Sequence, residues 1–201
     1  MNDPQILINQ SLREKIIYDL SHKLHPNYTY HNLDHTLRVI NASYHIANYY
    51  NIEKKELTIL LTASLLHDYG FIQTHENHEE IGVRLSKEIL PNYNFSLEDI
   101  QKIESLILVT NLSKKPNNLL ESIIRDADLE YLGSKDFSQI SPLLMDEWFN
   151  CGIIKDDKEF HKIQYEFLKK HSFFTDFMSK EFNNQKQKNI LAAKKILDSH
   201  Q

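Results

Sequence analysis

Glycine is scarce in this 201-residue chain: there are only 4, with 5 prolines, 1 cysteine and 1 tryptophan. Average usage would give about 14 glycines and about 10 prolines. Gly70, Gly82, Gly133 and Gly152 are too far apart for a GxGxxG or P-loop element, and such loops need clustered glycines to bring backbone against a phosphate. Many-stranded β architectures need frequent turn residues, which are missing as well. A single cysteine, Cys151, precludes an internal disulfide and fits a reducing compartment. No apolar run approaches the roughly 20 residues that span a bilayer, and MNDPQILINQSLREK has no basic segment followed by an apolar one. The expected location is therefore cytoplasmic, with no membrane partner. A net charge of −5 argues against nucleic acid as a partner.

What the chain has instead is helical periodicity. Asp3-Pro4 reads as a cap and first turn, followed by a stripe of Ile6, Leu7, Leu12, Ile16, Ile17 and Leu20. Residues 31–50 form a second helical stretch with a stripe of Leu33, Leu37, Ile40, Tyr44 and Ala47. The run LTILLTASLLH is apolar on nearly all sides, the pattern of a buried central helix, with Gly70 as terminator. Shorter helices are expected at 78–90, closed by Pro91, and from the capping box at Ser96–Asp99 to about Val109. A helix from about Asn118 to Leu132 ends at Gly133, and Ser141-Pro142 opens the next, to about Asn150. Lys158–Lys170 and Thr175–Ser199 complete the chain. The expectation is one all-α domain over 1–201, a bundle of about eight helices, with a core at about 28–135 and helices 141–199 packed on it.

Histidine is in excess, at 11, and eight of these lie between residues 22 and 78. His31 and His35 are four apart and would share a helix face, with Arg38 one turn further on. His67-Asp68 closes the buried run, so an ionisable pair is carried into the core. Burying charge is costly unless it is paired or bound to a metal, and imidazole with carboxylate is an ordinary ligand set for a divalent ion. In the helix RDADLEYL, Asp128 falls inside the apolar arc of Leu120, Ile123, Ile124, Ala127, Tyr131 and Leu132, and Asp126 falls at its edge. That favours Asp128 as a ligand, with Asp126 accepting a hydrogen bond behind it.

The elements YHNLDHTLRVI at 30–40, LLHDYGF at 65–71, NHEE at 77–80 and DADLEYLG at 126–133 occur in the order H…HD…D. Together they resemble the HD-domain superfamily of metal-dependent phosphohydrolases, and YHNxxH is similar to the element of cyclic-nucleotide phosphodiesterases. The resemblance covers roughly residues 28–135. It implies a phosphodiesterase-like all-α fold and hydrolysis of a nucleotide or other small phosphate ester, a cyclic-nucleotide diester being the first subclass to test. It implies a divalent ion (Mn, Mg, Ni, Co, Zn or Fe) held by His35, His67, Asp68 and Asp128. His31 would be the proton donor, Arg38 would hold a phosphate oxygen, and Glu79 would orient the attacking water. His75 and His78 would line the pocket, and Asn32 would support the fold or orient a histidine. A dinuclear iron oxygenase, with His75 and His78 as extra ligands, is one rival; a nucleotide or metal sensor without turnover is another. A homodimer is compatible with the sequence, though no segment demands one.

Overall fold

Few turn residues and long apolar periodicities leave the chain little but helix. The structure, a computed structural model, describes residues 4–199. The described residues contain nine α-helices joined by loops and short 3-10 turns, and no strand. No described helix is long and apolar enough to cross a membrane. Backbone contacts divide the described residues into two compact units: residues 4–25 with 31–128, and residues 26–30 with 129–199.

The first unit holds six helices: α1 (Gln10–Lys23), α2 (Leu33–Tyr49), α3 (Lys54–Leu66), α4 (His78–Ile89), α5 (Leu97–Leu108) and α6 (Leu119–Asp128). Asp3 lies outside the described residues. Pro4 opens a separate 3-10 turn, Pro4–Leu7, and α1 begins later, where the Asn9 side chain accepts the Leu12 N–H at 3.1 Å. The all-round apolar run is the central helix α3, with nine residues from Leu57 to Leu66 buried. It packs against α2 and α5, and α6 packs across α2. Burying Leu60, Leu61, Leu65 and Leu66 completely removes four large side chains from water, each contributing about 1.5–3 kcal/mol. The capping box forms as expected: Ser96 and Asp99 satisfy each other's backbone N–H at the start of α5.

The buried face of α2 keeps only Ile40 and Ala47 of the apolar stripe of the sequence. It consists of His35, Thr36, Val39, Ile40, Ser43, Ile46 and Ala47, while Leu33, Leu37 and Tyr44 are only half-buried. The polar members have partners that a hydrophobic count cannot register: Ser43 Oγ meets Ser64 Oγ of α3 at 2.9 Å. Gly70 does not terminate α3, which ends at Leu66 with His67 still helical. It sits in a 3-10 turn, Tyr69–Ile72, where a Cβ would lie 1.9 Å from the carbonyl oxygen of His78. Absence of a side chain there lets the turn nest on the start of α4.

The second unit holds α7 (Phe137–Asn150), α8 (Asp157–Lys170) and α9 (Asp176–Ser199). Its core gathers Tyr131, Leu132, Phe137, Ile140, Leu144, Ile154, Phe160 and Leu168. The Asn118–Leu132 helix of the sequence reading is in fact two pieces, because α6 stops at Asp128 and a 3-10 turn, Glu130–Gly133, follows. Gly133 permits close packing: a Cβ there would approach Phe182 Cβ to 2.7 Å. Pro142 does not open α7 but lies inside it, five residues after its start. There the missing N–H costs one hydrogen bond of the helical ladder. Asn189 of α9 donates to the carbonyls of Leu132 and Ser134, each at 2.9 Å, and satisfies the end of the turn. The segment 26–30 belongs to this unit, with Thr29 donating to Leu143 O and the Tyr30 N–H to buried Glu147.

Candidate metal centre

The site residues come from the ends of helices in the first unit. His35 lies in the first turn of α2, whose start is fixed by Asn32: its side chain accepts the His35 N–H at 3.1 Å. His67 and Asp68 follow the last residue of α3, and Asp128 is the last residue of α6. Helix packing brings these ends together.

Four donor atoms converge. His35 Nε2 lies 3.2 Å from His67 Nε2, 3.3 Å from Asp68 Oδ2 and 3.1 Å from Asp128 Oδ1. His67 Nε2 lies 3.1 Å from Asp68 Oδ2 and 3.5 Å from Asp128 Oδ1. First-row ions bind such donors at about 2.0–2.2 Å, which places neighbouring ligands roughly 3 Å apart. The observed separations have that size. Asp68 Oδ2 is buried and forms no hydrogen bond, although both imidazole nitrogens face it. A buried oxygen without a hydrogen bond is costly unless a cation meets it. The residues present therefore fit a divalent ion: His35, His67 and Asp128 can each offer one ligand atom to it, and Asp68 Oδ2 lies 3.3 and 3.1 Å from the two imidazole nitrogens.

The ring of His67 is oriented from behind. Its Nδ1–H donates to the Ser64 carbonyl at 2.8 Å, which leaves Nε2 to face the cluster. Ser64 in turn bonds Ser43 of α2, so the same serine ties together the two helices that supply His35 and His67. Electrostatics agree with the geometry. Burial disfavours a charged ring at His67, yet the carboxylates of Asp68 and Asp128 hold its pKa well above the usual histidine value. Burial likewise opposes charge at Asp68 and Asp128, and the facing imidazoles outweigh it, keeping both acids well below the usual carboxylate range. The pocket attracts positive charge.

Around the cluster lie the other residues singled out from the sequence. His31 is not on the face of α2, because the helix begins at Leu33 and the extended Asn32 cap separates them. Its ring nevertheless stands edge-on to His35, with centroids 5.7 Å apart. Glu79, buried in the first turn of α4, places Oε1 3.5 Å from His78 Nε2. His78 Nε2 is 3.7 Å from Asp68 Oδ1, so α4 borders the cluster through this histidine. Arg38 is half-buried in α2, one turn beyond His35. Asp126 is fully buried, more so than Asp128. The sequence arc reversed that order because α6 ends at Asp128, leaving its side chain to the helix end rather than to a packed face.

Three features escaped the sequence reading. Phe71, inside the quoted LLHDYGF, is buried against the rings of His31, His75 and His78. Tyr69, beside Asp68, bonds a buried acid in α1. Arg125 is buried and donates to the carbonyls of Val109, Asn111 and Lys114. The first two adjoin the HD pair, which was the available signal. Nothing in the sequence gave Arg125 its loop partners.

The HD domain family model matches residues 32–130. A protein of Clostridium beijerinckii described as uncharacterized is 35% identical over 108 residues, which span 51% of this chain and 66% of that protein. The crystal structure of a predicted HD superfamily hydrolase from an uncultured Thermotogales bacterium shares the fold, with a TM-score of 0.64 and 18% identity over 100% of both chains. The ordered H…HD…D residues, their proximity in space and the matched family model lead to one assignment: residues 32–130 of this chain form an HD domain.

Proposed function

We propose that the protein is a metal-dependent phosphohydrolase acting on a nucleotide or another small phosphate ester. The observation that carries this reading is the cluster in which His35 Nε2 and His67 Nε2, 3.2 Å apart, each lie 3.1–3.5 Å from Asp68 Oδ2 and Asp128 Oδ1. The description of the Thermotogales protein as a hydrolase points the same way. His35, His67, Asp68 and Asp128 would hold the ion. When bound, a divalent ion makes water nucleophilic near neutral pH and polarises a phosphoryl oxygen.

The chain's own residues supply the rest. Glu79 orients the attacking water, whose oxygen forms the new bond to phosphorus. The bond from phosphorus to the leaving oxygen breaks, and His31 donates its proton to that oxygen. Arg38 binds a non-bridging phosphate oxygen, a charge-assisted contact suited to its planar fork. A cyclic-nucleotide diester is the first substrate subclass to assay, with nucleoside mono- and triphosphates beside it.

The test is hydrolysis by purified protein loaded in turn with Mn, Ni, Co, Zn and Mg, using bis(p-nitrophenyl) phosphate and a panel of nucleotides. Turnover with at least one ion, lost in Asp68→Ala, is expected. Absence of turnover across the panel, or a normal rate for Asp68→Ala, overturns the reading.

A further inference from the structure

We propose that Phe71 is a positioning residue for His31, fixing the plane of the proton donor's imidazole against the metal cluster. The proposal rests on the reading of His31 given above. His31 precedes the Asn32 cap of α2, so no helical backbone fixes its direction. Its ring lies on the ring of Phe71, with centroids 4.6 Å apart and planes 15° from parallel. That is a well-formed stack for two aromatic rings.

Phe71 can serve as a fixed platform because it is itself held. Its ring is buried, with 2% of the residue exposed. Its N–H donates to the Asp68 carbonyl at 3.0 Å, closing the 3-10 turn that leaves the HD pair. The platform and a proposed ligand therefore share one short rigid segment. A second stack, with His78 at 4.0 Å and 28°, and an edge contact with His75 at 5.5 Å hold the ring from the side of α4. His31 then stands at 81° to His35, edge-on to the cluster. A general acid must sit within hydrogen-bond reach of the leaving oxygen, and misplacement by about 1 Å can cost a hundredfold in rate. An apolar ring packed against imidazoles gives such placement without adding a competing hydrogen bond.

The chemistry of the leaving group separates a positioning role from a packing role. p-Nitrophenolate departs without needing a proton, whereas phenolate departs far better when protonated. Wild type, H31N, F71L and F71Y, each loaded with the same divalent ion, are compared on p-nitrophenyl phosphate and phenyl phosphate. H31N should lose roughly a hundredfold or more on phenyl phosphate and much less on p-nitrophenyl phosphate. F71L should show the same asymmetry, with a loss of about tenfold or more in kcat on phenyl phosphate at unchanged KM and metal content. F71Y keeps the ring and should restore most of the rate. Equal losses of H31N on both esters would overturn the proton-donor role itself. An asymmetric H31N beside a symmetric F71L would overturn the role of Phe71 alone. A readout independent of turnover is the NMR position of the His31 carbon-bound ring protons. The Phe71 ring current shifts them upfield in the wild type and in F71Y; no displacement in F71L relative to the wild type removes the stack and the proposal with it.

Discussion

The hydroxyl of Tyr69 donates to Asp19 Oδ2 at 2.5 Å, so the residue immediately after the HD pair is tied to α1. Lys15 and Lys23 reach the same carboxylate at 2.8 and 2.7 Å. Burial alone would raise the pKa of Asp19, but the bonds from Lys15, Lys23 and Tyr69 outweigh it and hold it at about 2, below its ordinary 3.8. A depressed folded-state pKa stabilises the protein above the unfolded value, and the contribution disappears as pH falls through the folded one. The gap corresponds to on the order of 2 kcal/mol. Asp19→Asn should therefore be less stable than wild type by about that amount at pH 7, and the difference should shrink between pH 4 and pH 2. Urea denaturation of both proteins across that range checks it.

Gly70 predicts a contrast between two glycines. A Cβ at Gly70 would lie 1.9 Å from the His78 carbonyl oxygen, 2.7 Å from its carbon and 2.9 Å from the Gly82 nitrogen. All three are backbone atoms, so relief requires α4 to move off the turn. A Cβ at Gly82 would meet its neighbours at 3.5 Å or more, an ordinary contact. Gly70→Ala should cost roughly 1–3 kcal/mol, and Gly82→Ala should be close to neutral. Thermal melts compare them directly. Because the shift in Gly70→Ala separates His78 and Glu79 from Asp68, its hydrolytic rate should fall further than its melting temperature suggests.

Much of this was legible in the letters and some was not. Apolar patterning located α3, α4 and α5; the buried face of α5 is wholly apolar, whereas α4 also buries Glu79 and Ser86. The same patterning misplaced the buried face of α2, where His35, Thr36 and Ser43 point inward. Those residues are soluble in the core only through partners on other helices, and one sequence does not display partners. The burial of His67 and Asp68 was legible because both follow directly on an apolar run that has to enter the core. The end of α6 was not: nothing local distinguishes Asp128 from a mid-helix residue. His31 reached the site without sharing the face of α2, since a capped extended residue returned its ring to His35 by another route.

Metal should stabilise the fold as well as serve chemistry. An ion that binds the folded cluster and not the unfolded chain adds about 2.7 kcal/mol at a hundredfold excess over its dissociation constant. Treatment with a chelator should lower the melting temperature, and Mn or Zn should restore it. In His67→Ala, one of the four converging donors is gone, and the response should be lost or sharply reduced at the same ion concentration. A melting temperature insensitive to chelator and added ion in the wild type would contradict the metal assignment.

Arg125 should separate stability from metal binding. Its guanidinium is buried and donates to Val109 O through Nε at 2.9 Å, and through Nη2 to Val109 O, to Asn111 O and, at 3.0 Å, to Lys114 O. Burial lowers its pKa, with the charges of Asp128, Glu79 and Asp126 partly offsetting the effect. One side chain thus pins the loop that follows α5 to α6. Arg125→Met leaves those carbonyls without their donor, at roughly 2–4 kcal/mol. Arg125→Lys keeps the charge but cannot span all three carbonyls, so its loss should be intermediate. Amide exchange at 110–114 should accelerate in both variants, more than elsewhere in the chain. None of the four converging donors hydrogen-bonds to Arg125, so the rise in melting temperature on adding Mn should persist in Arg125→Lys. Loss of that rise together with unchanged loop exchange would show that Arg125 acts on the cluster and not on the loop.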